Sequence, residues 1–395
     1  MKRVNVDALA GEALRLRGWA LQVLTAAENR PIPAPPPAST RGWELFLRAE
    51  RCALPLSRSL RGREGQDALP ADAARVLGAL ALDETRRVLA ARAQLRQLSR
   101  WAAERGETAV VLKGAVAAVD DRHAVDLSDI DVWMAPGAED DLLEHLARTG
   151  HMARTDGLPM HHHEARLTEQ LVAIEVHREI PDADLDAGWS DRVRPLHAAL
   201  PGMACLDAAD HLWHVLVHAT IQHLERYGQL RDLMLLAYAR SMCSSAERRS
   251  VVERARRTRS AGPLLAMLDM AEHIACKHEP FDAFALVAAG RYLQALAAHR
   301  YATADRAQVQ ATAALLRGPR ACASYLAFPI RRWKTPSPRP ALTMLQRRNP
   351  RLGRAVVFSL RLTRRAMAIV TALRTARAAR RIARDYGPHT RGMPA

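Results

Sequence analysis

Nothing in the sequence supports a disulfide framework. The five cysteines, Cys52, Cys205, Cys243, Cys276 and Cys322, lie far apart with no C-x-x-C, which argues equally against a thiolate zinc site. Aromatic residues make up only 5% of the chain while hydrophobic residues make up 49%, a balance that suits an Ala- and Leu-rich, largely helical protein. No uncharged apolar stretch reaches the ~18 residues needed to span a membrane. The opening Met-Lys-Arg-Val-Asn-Val-Asp leads to no clean apolar signal region, because Glu12, Arg15 and Arg17 interrupt it. The expected location is the cytoplasm.

Acid is missing from one end. Residues 331–395 hold 17 Lys and Arg against a single carboxylate, Asp385, so the formal charge of +16 lies entirely there. Residues 1–330 balance at 41 basic and 41 acidic. The body therefore carries no electrostatic preference for a polyanion. The tail fits an anionic partner, either nucleic acid or a membrane surface at which the protein sits peripherally, and it also fits a plain solvated helix. Arg374, Arg377, Arg381 and Arg384 share one face of a continuous helix, with Arg361 and Arg365 on roughly the opposite side.

What the sequence does contain is helical periodicity interrupted by one stretch of strand signal. Residues 5–29 read as a helix, and Pro31 to Pro37 forbid both helix and ladder, so residues 1–39 form a helix and stiff linker, an appendage to the rest. Residues 40–106 read as an N-terminal helical region, with apolar spacing of three and four over Trp43–Leu60 and Ala71–Glu104 and a C-cap at Gly106. Residues 107–186 change period. Thr108–Leu112 and Ile130–Met134 read as strands, Ala115–Asp121 and Ala138–Thr149 as helices, and 158–167 with 171–177 as a hairpin. Residues 187–328 return to helical periodicity without any strand signal, and prolines near 329–340 introduce the Arg-rich helical tail, 329–395. The expected class is α+β: a small mixed sheet with helical regions on both sides, predominantly helical overall.

The chemistry concentrates in the sheet. In Ser128-Asp129-Ile130-Asp131-Val132, alternation turns Asp129 and Asp131 to one face while Ile130 and Val132 enter the core. Adjacent carboxylates repel, and a divalent cation neutralises them most readily. Glu175, in a strand that can lie beside them, would complete a hard-cation site. Two Mg2+ ions there would polarise the α-phosphate of a nucleoside triphosphate and stabilise departing pyrophosphate. Lys113 as a point charge and Gly114 as a close backbone approach are placed to receive the triphosphate.

The run Val110-Val111-Leu112-Lys113-Gly114-Ala115, followed by Ser128-Asp129-Ile130-Asp131-Val132 and Ile174-Glu175-Val176-His177, resembles the bacterial uncharacterised nucleotidyltransferase family of the polymerase-β-like superfamily, over about residues 40–365. The resemblance implies a nucleotidyltransferase core at 107–186, with Asp129, Asp131 and Glu175 as catalytic and metal-binding residues. It implies Lys113, Gly114, Ser128 and Arg122 as nucleotide-binding residues, and His177, His218, His223 and Asp232 as substrate-orienting ones. The activity implied is transfer of a nucleoside monophosphate from an NTP to an unknown hydroxyl or phosphate acceptor. Two departures stand out. Lys113-Gly114 replaces the Gly-Ser turn of better known relatives, so Ala115 offers no hydroxyl, and Val125 stands where relatives tend to carry Arg, with Arg122 three residues earlier.

Other readings of the same residues stay open. Lys113 can cap its strand, and Glu175 can deter edge pairing. His214 and His218 lie at i and i+4 on one helix face with His211 one turn before His214, a spacing that can bind zinc and that a metallohydrolase would use, and the same residues suit packing and hydrogen bonding. A catalytically decayed scaffold of the same fold, recruited to nucleic acid or membrane by its tail, would keep every motif quoted.

Overall fold

The computed structural model describes residues 6–26, 31–61, 69–121, 123–135, 137–154, 162–167, 172–177, 192–222, 227–258 and 261–276, with scattered helical positions between 311 and 369. Residues 277–310 of the helical region expected over 187–328, most of the basic tail, Arg122 and His223 lie outside the described residues.

Helix α1 (Val6–Thr25) is followed by the proline segment and then α2 (Thr40–Glu50). Ser39 caps α2 by accepting from the Gly42 amide at 3.1 Å, and Glu12 of α1 accepts from the Ser39 hydroxyl at 2.6 Å. Trp19 meets Trp43 edge to face at 5.5 Å. Buried Arg17 lies 3.7 Å from Glu50 and donates to the Gly228 carbonyl at 2.6 Å. The first helix is therefore part of the core and no appendage, which corrects the reading of 1–39. The single helical run expected over Trp43–Leu60 is also divided, because Arg51 turns left-handed at φ 52 and α3 (Ala53–Leu60) starts afresh.

The long α4 (Ala71–Arg105) buries Leu77, Ala81, Glu84, Val88, Ala91, Leu95, Leu98 and Ala102, a helical stripe of three- and four-residue steps. It stops at Gly106, whose φ of 66 glycine adopts freely. Then follow β1 (Ala109–Val111), α5 (Gly114–Ala118), β2 (Asp129–Trp133), α6 (Ala138–Arg148), β3 (His151–Arg154), β4 (His162–Leu167) and β5 (Ala173–His177). Two more strands come later, β6 (Val193–Pro195) and β7 (Met203–Leu206). The seven strands form one mixed sheet in the order β3-β4-β5-β2-β1-β7-β6. Parallel pairs join β2 to β5 and β1 to β7, and the remaining neighbours run antiparallel.

The α+β class is thus as expected, but the absence of strands after 187 is overturned. Strand β7 sits against β1 inside the sheet, so the sheet continues past residue 186. Helix α7 (Ala208–Val217), a π-helical turn at His218–Gln222, α8 (Leu230–Ser241), α9 (Ser245–Arg256) and α10 (Ala261–Cys276) complete the described order. No helix among the described residues is long and apolar enough to cross a membrane.

Strand alternation gives the sheet two different faces. Ala109, Val111, Ile130, Val132, Ile174 and Val176 pack with apolar residues of α4, α5 and α6. The other face carries Val110, Leu112 and Trp133 with Ala204 and Leu206. Asp129, Asp131, Glu175 and His177 have that same parity on β2 and β5. One face is closed by helices, and the opposite one displays the polar residues.

Candidate active site

Parallel pairing sets Asp131 directly beside Glu175 and Trp133 beside His177, while Asp129 lies beside Ala173. Neighbouring side chains in register face the same way, so a buried carboxylate, a partly buried one and an imidazole converge. One ligand atom from each of Asp131, Glu175 and His177 lies within 4.8 Å of the others, which makes them a group able to hold a metal ion. Asp129 does not enter that tight group. It is half-buried at the start of β2, where its Oδ2 accepts from the Ser128 hydroxyl at 3.1 Å.

Asp131 is the electrostatic centre. Its Oδ1 accepts from Lys113 Nζ at 2.6 Å and from His177 Nε2 at 2.8 Å. Burial pushes its pKa upward, but the Lys113 ammonium and the His177 hydrogen bond outweigh that and hold the carboxyl well below the usual carboxylate range. An ammonium thus supplies the positive charge that two neighbouring carboxylates require. Lys113 reaches Asp131 from the N-cap of α5 with φ 52 and ψ −130, a conformation that side chains seldom adopt.

Helices α7 and α8 bring in further polar groups. His214 is buried, and neither ring nitrogen has a hydrogen-bond partner among the described residues. Desolvation, then the nearby Lys113 charge, lower its pKa to about 3, so it is neutral at physiological pH. Burial likewise lowers His211, to about 4, with Arg194 adding to the effect. From α8, Arg231 Nη2 lies 3.4 Å from where a Cβ on Gly114 would stand. Its Nε and Nη1, and Oδ2 of the adjacent Asp232, have no hydrogen-bond partner among the described residues. A Cβ on Gly114 would also fall 2.7 Å from Leu127 Cδ2, so any larger residue at 114 requires the Leu127 side chain to shift.

The sequence-selected residues therefore divide. Lys113, Asp131, Glu175 and His177 meet, with Asp129 and Ser128 adjoining and Gly114 at the turn. His218 stands near His214, with ring centroids 6.4 Å apart. Asp232 is buried on α8, next to Arg231. The histidines of α7 do not supply the metal-capable group found among the described residues; Asp131, Glu175 and His177 do. Val125 and Ala115 are both buried in apolar clusters. Sequence reasoning missed the approach of Arg231 to Gly114 and of His214 to Lys113, since nothing local in the sequence signals contacts between a β-strand turn and helices a hundred residues on.

A mixed sheet with one helix-covered face and a carboxylate pair on the other, beside a lysine-glycine turn, defines a site suited to cation-assisted phosphoryl chemistry. Residues 40–275 match the family described as uncharacterised nucleotidyltransferase, and the chain belongs to that family. No curated protein and no solved structure matches it.

Proposed function

We propose that the protein transfers a nucleoside monophosphate from an NTP to a hydroxyl or phosphate acceptor with Mg2+. The observation that carries this is the register of Asp131 beside Glu175, with Asp129 one step along the same strand face. The donor set fits a hard cation: carboxylate oxygens dominate it, and Lys113 at 2.6 Å from Asp131 shows that positive charge is favoured there. Asp129, Asp131 and Glu175 would hold the metal, two ions when fully loaded. Bound there, Mg2+ supplies polarisation of the α-phosphate and charge neutralisation of pyrophosphate.

The chain's own groups do the rest. His177 holds Asp131 in one orientation, and Lys113 exchanges its carboxylate partner for a triphosphate oxygen. Arg231 lies beside the backbone at Gly114 to receive another. Glu175, the more exposed of the register pair, takes the proton of the acceptor as the new P–O bond forms and the bond to pyrophosphate breaks. His218 and Asp232 orient the acceptor from the helical side.

Pyrophosphate release from ATP, GTP, CTP and UTP with Mg2+, together with calorimetry of NTP binding, tests the reading. Partners behind a metal ligand are worth roughly 10- to 100-fold, so replacing a ligand itself in Asp129→Asn or Asp131→Asn lowers turnover by about a hundredfold or more. Equal turnover in the wild type and both variants would sink it. A second reading, a decayed scaffold, gains from Ala115 and Val125, which offer no phosphate contact from their buried positions. It requires that no NTP binds while residues 331–395 confer salt-sensitive binding to nucleic acid or anionic vesicles. Cytoplasmic residence, with or without peripheral membrane attachment, accompanies either reading.

A further inference from the structure

A cavity of about 350 Å3 opens at the end of the sheet that carries Asp129 and Lys113. It lies between α2, α4 and the segment entering β2, with Arg48, Arg51, Arg87, Asp126 and Ser128 in its lining. The volume lies within the range of small-ligand sites. Ser128 belongs to the cavity and to the site at once, because its hydroxyl donates to Asp129 Oδ2.

The lining holds three arginines, Arg48, Arg51 and Arg87, against three carboxylates, Asp83, Glu84 and Asp126, and the carboxylates already have partners. Asp126 is buried, and each of its oxygens already has a guanidinium: Arg51 Nε on Oδ2 and Arg87 Nε on Oδ1, both at 2.5 Å. One anion therefore holds two cations in place and leaves positive charge over. Arg48, exposed in the last turn of α2, adds another. The acids nearby are committed elsewhere. Glu84 accepts from the backbone amides of Ala53 and Leu54, and Asp83 pairs with Arg86.

The backbone supplies an independent sign. Arg51 ends α2 at φ 52 and ψ 47, a conformation that glycine adopts freely and arginine does not. Among the described residues the other non-glycine residue with positive φ is Lys113. Both are cationic, and they stand at the same end of the sheet. Backbone strain of this kind persists where a side chain must be held in a particular place.

We propose that this cavity binds a phosphate group of a substrate, with Arg48, Arg51 and Arg87 as donors and Ser128 as its link to Asp129. Guanidinium groups match phosphate oxygens in geometry and charge. The phosphate belongs either to the polyphosphate of the NTP or to a phosphorylated acceptor. The assignment of a role in catalysis rests on the nucleotidyltransferase reading, whereas the binding of phosphate does not.

Calorimetry of the full chain with inorganic phosphate, pyrophosphate and ATP–Mg2+ decides the matter for wild type, Arg48→Ala, Arg87→Met and Asp131→Asn. Wild type binds phosphate or pyrophosphate, and each arginine variant binds it about tenfold more weakly or worse, while Asp131→Asn retains it. A parallel loss of ATP–Mg2+ affinity assigns the cavity to the NTP; unchanged ATP–Mg2+ affinity assigns it to the acceptor. Should Arg87→Met unfold because buried Asp126 loses a partner, the exposed Arg48 decides alone. The proposal is overturned if wild type binds neither anion, or if folded Arg48→Ala binds as wild type does. Turnover lost in Asp131→Asn with anion binding untouched by the arginine changes would remove the cavity and leave nucleotidyl transfer standing.

Discussion

Lys113 is held by two opposed effects. Its ammonium neutralises buried Asp131 at 2.6 Å, and its backbone sits at φ 52, ψ −130 to make that contact. Breaking a buried pair costs about 3–5 kcal/mol, whereas a sparsely populated backbone conformation costs roughly 1–3 kcal/mol. The pair therefore wins, and the strain is tolerated. Both Lys113→Ala and Lys113→Gly should destabilise the metal-free protein, but the glycine variant by about 1–3 kcal/mol less, because it relieves the strain. Urea unfolding of the two variants side by side measures the difference. Added Mg2+ should recover stability in both, by replacing the missing cation, more than it does in wild type. At this scale the sequence was informative wherever parity decided the outcome: Asp129 and Asp131 share a face because they are two residues apart, and Glu175 matched them once β5 paired with β2. It was silent on Lys113 meeting Asp131, which depends on how β1 and β2 turn towards each other.

At the scale of elements, α4 does more than cover the sheet. Its Glu84 accepts from the Ala53 and Leu54 amides, serving as a cap for α3 from a different helix. Burial first, then Asp126, push the Glu84 carboxyl up from its ordinary 4.5 to about 7. Because the folded state holds this proton more tightly than the unfolded chain, its stabilising contribution is complete below about pH 4.5 and is lost as pH rises through about 7. The loss is on the order of 3 kcal/mol. Relative to Glu84→Gln, wild type should thus lose melting temperature between pH 5 and pH 8, and parallel melting curves across that span would refute the assignment. Elements with long periodicity were legible in advance, as α4 and its Gly106 stop demonstrate. The break at Arg51 was signalled by Pro55 alone, which is tolerated in the first turn of α3 but not inside one continuous helix, and the apolar spacing across Trp43–Leu60 masked it. Strand β7 escaped notice for a different reason: Met203-Ala204-Cys205-Leu206 is short, buried throughout and followed at once by a helix, so no alternation develops.

Across the whole molecule, the first helix shows how far the chain exceeds its family match, which begins at residue 40. Leu14, Leu16, Trp19, Ala20 and Leu24 are buried against α2, α3 and α10. Each large apolar side chain contributes about 1.5–3 kcal/mol when buried, so the sum rivals the net stability of a domain. A chain starting at residue 40 should lack a cooperative thermal transition and bind apolar dyes, as calorimetry and fluorescence would report; a normal melt would show that α1 is dispensable. The proline segment made α1 look separable, yet Trp19 Nε1 donates to the Pro33 carbonyl at 2.7 Å and ties helix to linker. Within the basic tail, Arg365 stacks over the Tyr325 ring at 4.3 Å, so this tail arginine serves packing. The place of β7 beside β1 has a further consequence, for the order in which the molecule can assemble. As the chain leaves the ribosome, Val110 must wait for Ala204 before that side of β1 finds its partner. Until then a strand edge next to the future carboxylate site stays open, and late closure of this kind makes for slow folding and exposes the nascent chain to aggregation.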